Sequence, residues 1–371
     1  MKKLIKNLIL LATITFFLIG SCKERSTCCD PTQKPVTTTT NSNATAKIIV
    51  TTLAGSGSIG SANGVGTAAS FFYPNGLSVD ALGNIYVGDV FNNMIRKITS
   101  NGVVTTVAGS GSYGKLNGIG TAASFWFPYG VVVDDSDNIY VGDHNNNLIR
   151  KINSSGVVST FAGTGTSGST NGISTSASFF HCQGLAIDAS GNLYIADTGN
   201  HLIRKITPTG IVSTVAGTAG VAGNTNGTGT AASFNYPSSI AIDASGNLYV
   251  ADSFNNLIRK IDPSGVVTTL AGSGAVGSTN AIGIAASFNQ PSGVAIDASG
   301  NLYVADSYNN LIRKIDPLGA VTTLAGTGSI GSTNGDATVA SFNYPCSVAV
   351  DASGNVYVGD HSNNMIRKIT Q

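Results

Sequence analysis

One sequence unit recurs along most of this 371-residue chain. A short apolar run ending in Gly-Asp or Ala-Asp returns about every 54 residues, at Asp89, Asp143, Asp197, Asp252, Asp306 and Asp360. A fixed period overrides the two or three domains that the length alone suggests, because each unit must pack against its neighbours. The sequence therefore predicts one repeat domain over residues 47–371.

Each of the first five units contains four short runs rich in Val, Ile, Tyr and Thr, and the sixth contains the first three. In the fifth unit they occupy residues 292–296, 301–305, 311–315 and 321–324. The runs are too short for globular helices and are bounded by Gly, Asp, Asn, Ser and Pro, which predicts four antiparallel strands, named a to d here. Four-stranded units in tandem form a propeller when each blade covers the apolar face of the next.

The two ends of the repeat region predict how the ring closes. The sixth unit ends after strand c, at residues 365–369, and has no strand d. A matching spare run precedes the first unit, at residues 48–53. Pairing the two ends removes the open sheet edges that invite aggregation. We expect an all-β, six-bladed β-propeller with four antiparallel strands per blade, in which the N-terminal strand closes the last blade.

The repeated motif resembles the NHL repeat. In the fifth unit it reads Gly-Asn-Leu-Tyr-Val-Ala-Asp at residues 300–306 and Ile-Arg-Lys-Ile at residues 312–315, and the resemblance covers all six units. It implies a propeller fold. Propellers of this family include protein-interaction domains, RNA binders, extracellular sensors and a few metal-dependent lyases and hydrolases, so the resemblance implies a fold more specifically than a function.

The first 46 residues have a different composition. A basic start and an apolar stretch over residues 7–20 predict a signal peptide over residues 1–21. The residues before Cys22 look like a bacterial lipobox, which predicts lipid attachment at Cys22; the alternative is an ordinary secretory signal. Residues 22–46, rich in Thr, Ser and Asn, predict a flexible tether. We expect a lipid-anchored protein of the bacterial cell envelope, facing the periplasm or the exterior.

The charge balance argues against nucleic-acid binding. The chain has 20 Lys and Arg against 19 Asp and Glu, and removing Lys2, Lys3 and Lys6 with the signal peptide leaves 17 against 19. Nucleic acid requires a basic surface. Most basic residues form an Arg-Lys pair on each strand c, and one of each pair must enter the blade packing, where its charge needs a partner. We expect the Asp residues that end strands a and b to form turns and to pair with these Arg residues.

The sequence predicts no catalytic residue, metal ligand or cofactor. His144, His181, His201 and His361 have no ligand spacing, and the only Glu in the chain is Glu24, upstream of the propeller. A metal-dependent lyase or lactonase with its site at the channel mouth stays open as the alternative. Cys182 and Cys346 fall in opposite blades, so we expect no disulfide between them.

Specific binding must come from positions that break the repeat. On the face that carries the d–a connections and the b–c turns, the second residue before strand a is aromatic in the first three units and Asn in the last three. These aromatic residues can bind a ligand or pack under their own loops, and the next residue along is expected to surround the channel mouth. The candidate ligand-binding residues are Tyr73, Trp126, Phe127, Tyr129, His181, Tyr236, Gln290, Tyr344, Phe254 and Tyr308. Aromatic groups beside polar ones predict a membrane-tethered binding module for a protein, peptide or glycan.

Overall fold

The computed structural model of the protein describes residues 47–371, which form six sheets arranged as the blades of a ring. Strand a of each blade contacts strand a of the next, and the contact between the sixth and first blades closes the ring. The predicted propeller is therefore confirmed. The predicted signal peptide, the tether and Cys22 lie outside the described residues and stay predictions.

The strands follow the predicted order in every blade. Strands a cover Pro74–Val79, Pro128–Val133, Cys182–Ile187, Pro237–Ile242, Pro291–Ile296 and Pro345–Val350. Strands b cover Ile85–Asp89, Ile139–Asp143, Leu193–Asp197, Leu248–Asp252, Leu302–Asp306 and Val356–Asp360. Strands c cover Met94–Ile98, Leu148–Ile152, Leu202–Ile206, Leu257–Ile261, Leu311–Ile315 and Met365–Thr370. Strands d cover Val103–Ala108, Val157–Ala162, Ile211–Ala216, Val266–Ala271, Val321–Ala325 and, for blade six, Ile49–Ala54.

Five of the six sheets carry a short outer strand that the sequence did not predict. It belongs to the connection that leads into the blade, and it pairs with strand d of that same blade. These strands are Gly64–Val65, Gly118–Ile119, Gly172–Ile173, Gly227–Thr228 and Gly335–Asp336. Each is two residues long and begins with Gly, so no alternating pattern indicates a strand there. These short strands nevertheless cover part of the exposed edge of strand d.

The N-terminal strand closes the sixth blade, as predicted. Ile49 pairs with Thr370 and Val50 with Ile369, antiparallel, in the last strand of the chain. The C-terminal Gln371 donates a hydrogen bond to the carbonyl oxygen of Gly354 at 2.8 Å, in the a–b turn of that blade. The chain thus enters and leaves the propeller on the face of the a–b turns, called the turn face here.

Apolar side chains fill the seams between neighbouring blades. At the seam of blades six and one, Phe71, Val87 and Ile98 of blade one pack in the same cluster as Tyr357 and Ile366 of blade six. Equivalent clusters fill the other seams, so each blade depends on its neighbours for burial.

A buried ion pair stands in every blade, which confirms the expected role of the Asp at the end of strand b. In blade one, Arg96 and Asp89 are both fully buried, and their Nη1 and Oδ2 atoms are 2.7 Å apart. The second guanidinium nitrogen of Arg96 donates to the Ala62 carbonyl oxygen and to Asn63 Oδ1, both at 2.9 Å. The guanidinium also lies 5.3 Å from the centre of the Phe71 ring. Arg is therefore the buried member of each Arg-Lys pair.

The Asp at the end of strand a organises its own turn, as expected. Asp80 Oδ1 accepts the backbone N–H groups of Leu82 at 3.0 Å and Asn84 at 2.8 Å. Its other oxygen accepts from the Asn84 amide at 2.8 Å. The same contacts recur in the other blades, so these carboxylates are structural.

Candidate functional site

The face opposite the turn face, called the mouth face here, carries the b–c turns beside the start of strand a. In blade one the second carboxylate oxygen of the buried Asp89 accepts the backbone N–H of Phe72 at 2.8 Å. The Phe72 carbonyl oxygen in turn accepts the N–H of Phe91, in the b–c turn. The prediction that the start of strand a and the b–c turn lie on the same face is confirmed. The buried ion pair also holds the backbone of the candidate site in place, through the bond from Phe72 to Asp89.

The residue directly before strand a, called the entry residue here, has a left-handed backbone in all six blades. The φ values lie between 49° and 57°, at Tyr73, Phe127, His181, Tyr236, Gln290 and Tyr344. This conformation costs energy for any residue with a side chain. At every seam, a side chain of the preceding blade accepts the backbone N–H of the entry residue. This acceptor is Asn in five blades and His201 in one. For example, Asn364 Oδ1 accepts from Tyr73 at 3.0 Å and Asn256 Oδ1 accepts from Gln290 at 2.8 Å.

Six aromatic rings on the mouth face form a continuous row, called the aromatic arc here. In order they are Tyr308, Tyr344, His361, Tyr73, Phe91 and Phe127. Ring centres of neighbours are 4.5 to 5.5 Å apart, and the arc runs from blade five through blades six and one to blade two. His361 and Tyr73 stack with only 4° between their planes. The arc joins residues from both ends of the chain.

Two smaller aromatic groups complete much of the remaining rim. His144 of blade two stacks on His181 of blade three at 4.4 Å, and Tyr129 lies 4.7 Å from His144. In the next blade, Tyr236 contacts Phe254 at 4.7 Å. Gln290 is the one entry residue without a ring. The structure therefore brings eight of the ten candidate residues to the rim, and it places Tyr129 beside them on the channel wall.

Trp126 is the candidate that lies apart from these groups. Its side chain is 38% exposed and contacts Tyr113, which belongs to its own d–a connection, with ring centres 5.5 Å apart. Its backbone N–H is bound by Asp143 at 2.8 Å, like the equivalent residues of the other blades. Trp126 and Tyr113 form an exposed pair beside the rim.

The histidines of the rim are neutral at physiological pH. Burial lowers the pKa of His144 to about 4, with His181 acting in the same direction, and burial alone lowers the pKa of His361 to about 4. His201 Nδ1 accepts the backbone N–H of Tyr236 at 3.1 Å, at the place where the other blades use Asn. Burial lowers the pKa of His201 as well, which keeps that nitrogen an acceptor.

The second residue of each strand a forms a ring on the channel wall, called the collar here. Its members are Asn75, Tyr129, Gln183, Ser238, Ser292 and Cys346, and all six line the central channel. The channel has a volume of about 360 Å³. Sequence reasoning found only Tyr129 here. The collar could have been found from the sequence as a variable position of the repeat, because five different residue types occupy it in the six units.

Part of the collar is held in place by hydroxyl groups. Ser253, in the b–c turn of blade four, donates to the Pro291 carbonyl oxygen of blade five at 2.6 Å. Ser238 lies 2.5 Å from Ser253 and also donates to the Ser292 carbonyl oxygen at 2.9 Å. These bonds cross the seams and fix the polar side of the collar. Ser307 makes the corresponding bond to the next blade at 2.7 Å.

The channel wall is uncharged. Among residues 47–371, none of those that line the channel is Asp, Glu, Lys, Arg or His. The same part of the chain holds no group of three or more His, Cys, Asp or Glu residues that could bind a metal ion. Cys182 and Cys346 are buried free thiols. In residues 47–371, no helix has the length and apolar character needed to cross a membrane.

Comparison with known proteins agrees with the repeated motif. The NHL repeat model matches residues 125–152, 179–206 and 288–315, and the teneurin NHL domain model matches residues 222–288. NHL repeat-containing protein 2 of Bos taurus is 31% identical over 337 residues, which cover 80% of this chain and 46% of that protein. The chain thus spans about half the length of this relative.

Solved structures share the architecture. A Bacteroides thetaiotaomicron protein of unknown function has a TM-score of 0.68 and 22% identity, and the match covers 87% of this chain and 76% of that one. An auxiliary nutrient binding protein from the same organism has a TM-score of 0.66 and 18% identity, with the same coverage. At these identities the likeness concerns the fold. The six repeated units, the family models and the ring of six blades together establish that this chain belongs to the NHL-repeat β-propellers.

Proposed function

We propose that this protein is a membrane-tethered binding module of the bacterial envelope, whose ligand binds at the rim and collar of the mouth face. The observation that carries the proposal is the concentration of sequence differences there. The scaffold repeats the same ion pair in six blades, whereas the entry residues and the collar differ from blade to blade. A specific ligand requires such asymmetry.

The backbone of the entry residues also supports a binding role. Six residues with side chains hold a left-handed conformation that glycine adopts at lower cost. Strain of this kind is concentrated at functional sites, where the surrounding structure holds it in place. One protein of this fold bears the name auxiliary nutrient binding protein, which is consistent with a binding module.

The tether is proposed from the sequence of residues 1–46. Lipid at Cys22 would anchor the chain, and residues 22–46 would link it to the propeller. The first described residue, Lys47, lies on the turn face, where it pairs with Asp336 at 2.7 Å. A link that joins the propeller at that point leaves the mouth face free for a ligand.

Retention of envelope components by the full-length mature protein tests the binding proposal. Tyr308 and Phe254 are 54% and 52% exposed, so their replacement by Ala is expected to preserve the fold and to reduce retention. Leu82→Ala is the matched control, because Leu82 is an exposed apolar residue in an a–b turn of the turn face. Equal retention by all variants, with equal melting temperatures, would exclude the mouth as the site.

Fractionation of cells tests the tether. We expect the wild-type protein in the membrane fraction with a lipid-modified N-terminus at Cys22. Cys22→Ala should give soluble protein or unprocessed precursor, because one residue carries the whole anchor. An unmodified N-terminus at another position, found by mass spectrometry of the wild type, would reject the lipoprotein proposal.

A further inference from the structure

The uncharged channel restricts the chemistry of its ligand. A charged group in a channel of about 360 Å³ would lose hydration without meeting an opposite charge, because the described channel wall contains no Asp, Glu, Lys, Arg or His. The volume is at the lower end of ligand pockets, which span roughly 300 to 1,000 Å³. The channel therefore suits a small neutral group, or the neutral end of a longer molecule.

The rim supplies aromatic surface for such a group. The rings of the aromatic arc contact one another, but Tyr308 at one end of the arc and Phe254 in blade four are both more than half exposed to solvent. Tyr236 is 42% exposed beside Phe254. The faces of aromatic rings attract polarised C–H groups, because the ring face carries negative charge density. A ligand with a flat face of C–H groups fits these rings.

Amide groups supply hydrogen-bonding capacity on the mouth face, from blades three and five. Gln183 belongs to the collar and Gln290 is an entry residue, and neither side-chain amide has a hydrogen-bonding partner within residues 47–371. Each amide offers an acceptor and two donors, which can bridge neighbouring hydroxyl groups. The Tyr129 hydroxyl adds a neutral group, since burial raises its pKa. The ligand should carry several hydroxyl groups around its edge.

We propose that the mouth binds a terminal sugar unit of a neutral oligosaccharide. A pyranose ring combines a C–H face for the exposed rings with hydroxyl groups at its edge for Gln183 and Gln290, and it carries no charge into the channel. A free peptide terminus or a charged side chain would meet no opposite charge at the described channel wall. This inference rests on the proposed function, namely that the mouth face is the binding site.

Calorimetry and a glycan array with the full-length mature protein test the proposal. Neutral oligosaccharides of four to six sugar units (glucans, xylans, mannans and galactans) serve as probes beside anionic glycans and peptides. We expect binding within the neutral set, and Tyr308→Ala or Gln183→Ala should weaken it about tenfold, equivalent to one lost stacking or hydrogen-bonding contact. Leu82→Ala should bind like the wild type. Affinity should stay constant between about 0.05 and 0.5 M salt, because no ion pair contributes.

Three results would overturn the sugar assignment. They are binding of anionic glycans or peptides alone, neutral binding unaffected by both mouth variants, or the absence of any neutral binding. Envelope extracts then separate this failure from that of the proposed function. Mouth-dependent retention that survives periodate, which cleaves vicinal diols, and is lost after protease treatment keeps the mouth as a site for a protein. Retention lost after periodate supports the sugar, and no mouth-dependent retention rejects both proposals.

Discussion

At the scale of single residues, the same buried charge pair serves structure and site. Asp252 binds Arg259 with one carboxylate oxygen at 2.8 Å and the backbone N–H of Asn235, on the mouth face, with the other at 2.7 Å. Asn255 donates a further bond to Asp252 at 2.8 Å. The sequence predicted that an Arg-Lys pair must place one charge in the packing. It could not predict the second role of Asp252, because that contact joins segments on opposite sides of strand a.

Asp252→Asn should lower the free energy of unfolding by about 3–5 kcal/mol, because Arg259 keeps a buried charge without its anion. The measurement is denaturation by guanidinium chloride. Asp262→Asn is the matched control in the same blade, since Asp262 bonds only its own exposed turn and an amide oxygen can replace it there. Similar losses in both variants would contradict a special role for the buried pair.

The buried histidines predict an acid-sensitive fold. Burial lowers the pKa of His361 from 6.5 to about 4. Below pH 6.5 the His361 side chain is therefore protonated in the unfolded chain, but in the folded chain it stays neutral down to about pH 4. The stability contributed by this residue is complete above pH 6.5 and is lost as the pH falls to 4, on the order of 3 kcal/mol.

Replacing His361 by Phe tests this window. The Phe ring can keep the stack on Tyr73, whose ring centre lies 4.5 Å away, and it cannot bind a proton. We expect the unfolding free energy of H361F to fall less steeply than that of the wild type between pH 6.5 and 4. Parallel curves for the two proteins would show that His361 does not contribute to the acid sensitivity.

At the scale of elements, the strands could be predicted and their contacts across seams could not. In the sequence, alternating apolar and polar residues and the turn residues between them indicate strands a to d. The entry residues could be predicted because the residue directly before strand a varies from unit to unit. The aromatic arc was missed as a unit, since His361 and Tyr73 touch only after the ring closes. The collar was missed because its residues lie within strand a, where variation resembles ordinary strand composition.

Gln290→Gly, directly before strand a of blade five, should raise the stability of the fold and weaken ligand binding at the same time. Gln290 has a φ of 49°, so glycine relieves the left-handed strain, and we expect a gain of about 0.5–1 kcal/mol in unfolding free energy. Binding at the mouth should weaken, because the amide is lost. Gln290→Ala is the control, since it removes the amide and keeps the strain. A clear loss of stability in the glycine variant would mean that the side chain of Gln290 packs as core.

At the scale of the whole molecule, the repeat allowed the architecture to be predicted almost completely. The missing strand d of the last unit and the spare strand before the first unit define a closed ring, and the structure pairs them through Ile49 and Thr370. Symmetry also explains why function was harder to predict. A repeat determines where side chains lie within a blade, but a ligand meets side chains of several blades at once.

Deleting residues 47–55 should leave strand c of blade six with a free edge. The seam cluster of blades five and six would also lose Val50, which is fully buried. We expect aggregation or a large fall in melting temperature, measured by light scattering and calorimetry. An equally long deletion at residues 33–41, outside the described propeller, is the control and should leave the melting temperature unchanged. A soluble propeller of normal stability without residues 47–55 would reject closure by this strand.

Closure by the two ends of the chain also sets an order of events during biosynthesis. The strand Ile49–Ala54 is made before all the other strands of the propeller, but its partner Met365–Thr370 is the last propeller strand to be made. Until Met365–Thr370 has been made, blade six has no complete sheet, and the early strand can pair only with the two-residue strand Gly335–Asp336. Contacts between such distant residues form slowly. A chain that stops before Met365 therefore leaves the edge of this early strand exposed, because its long partner strand has not been made.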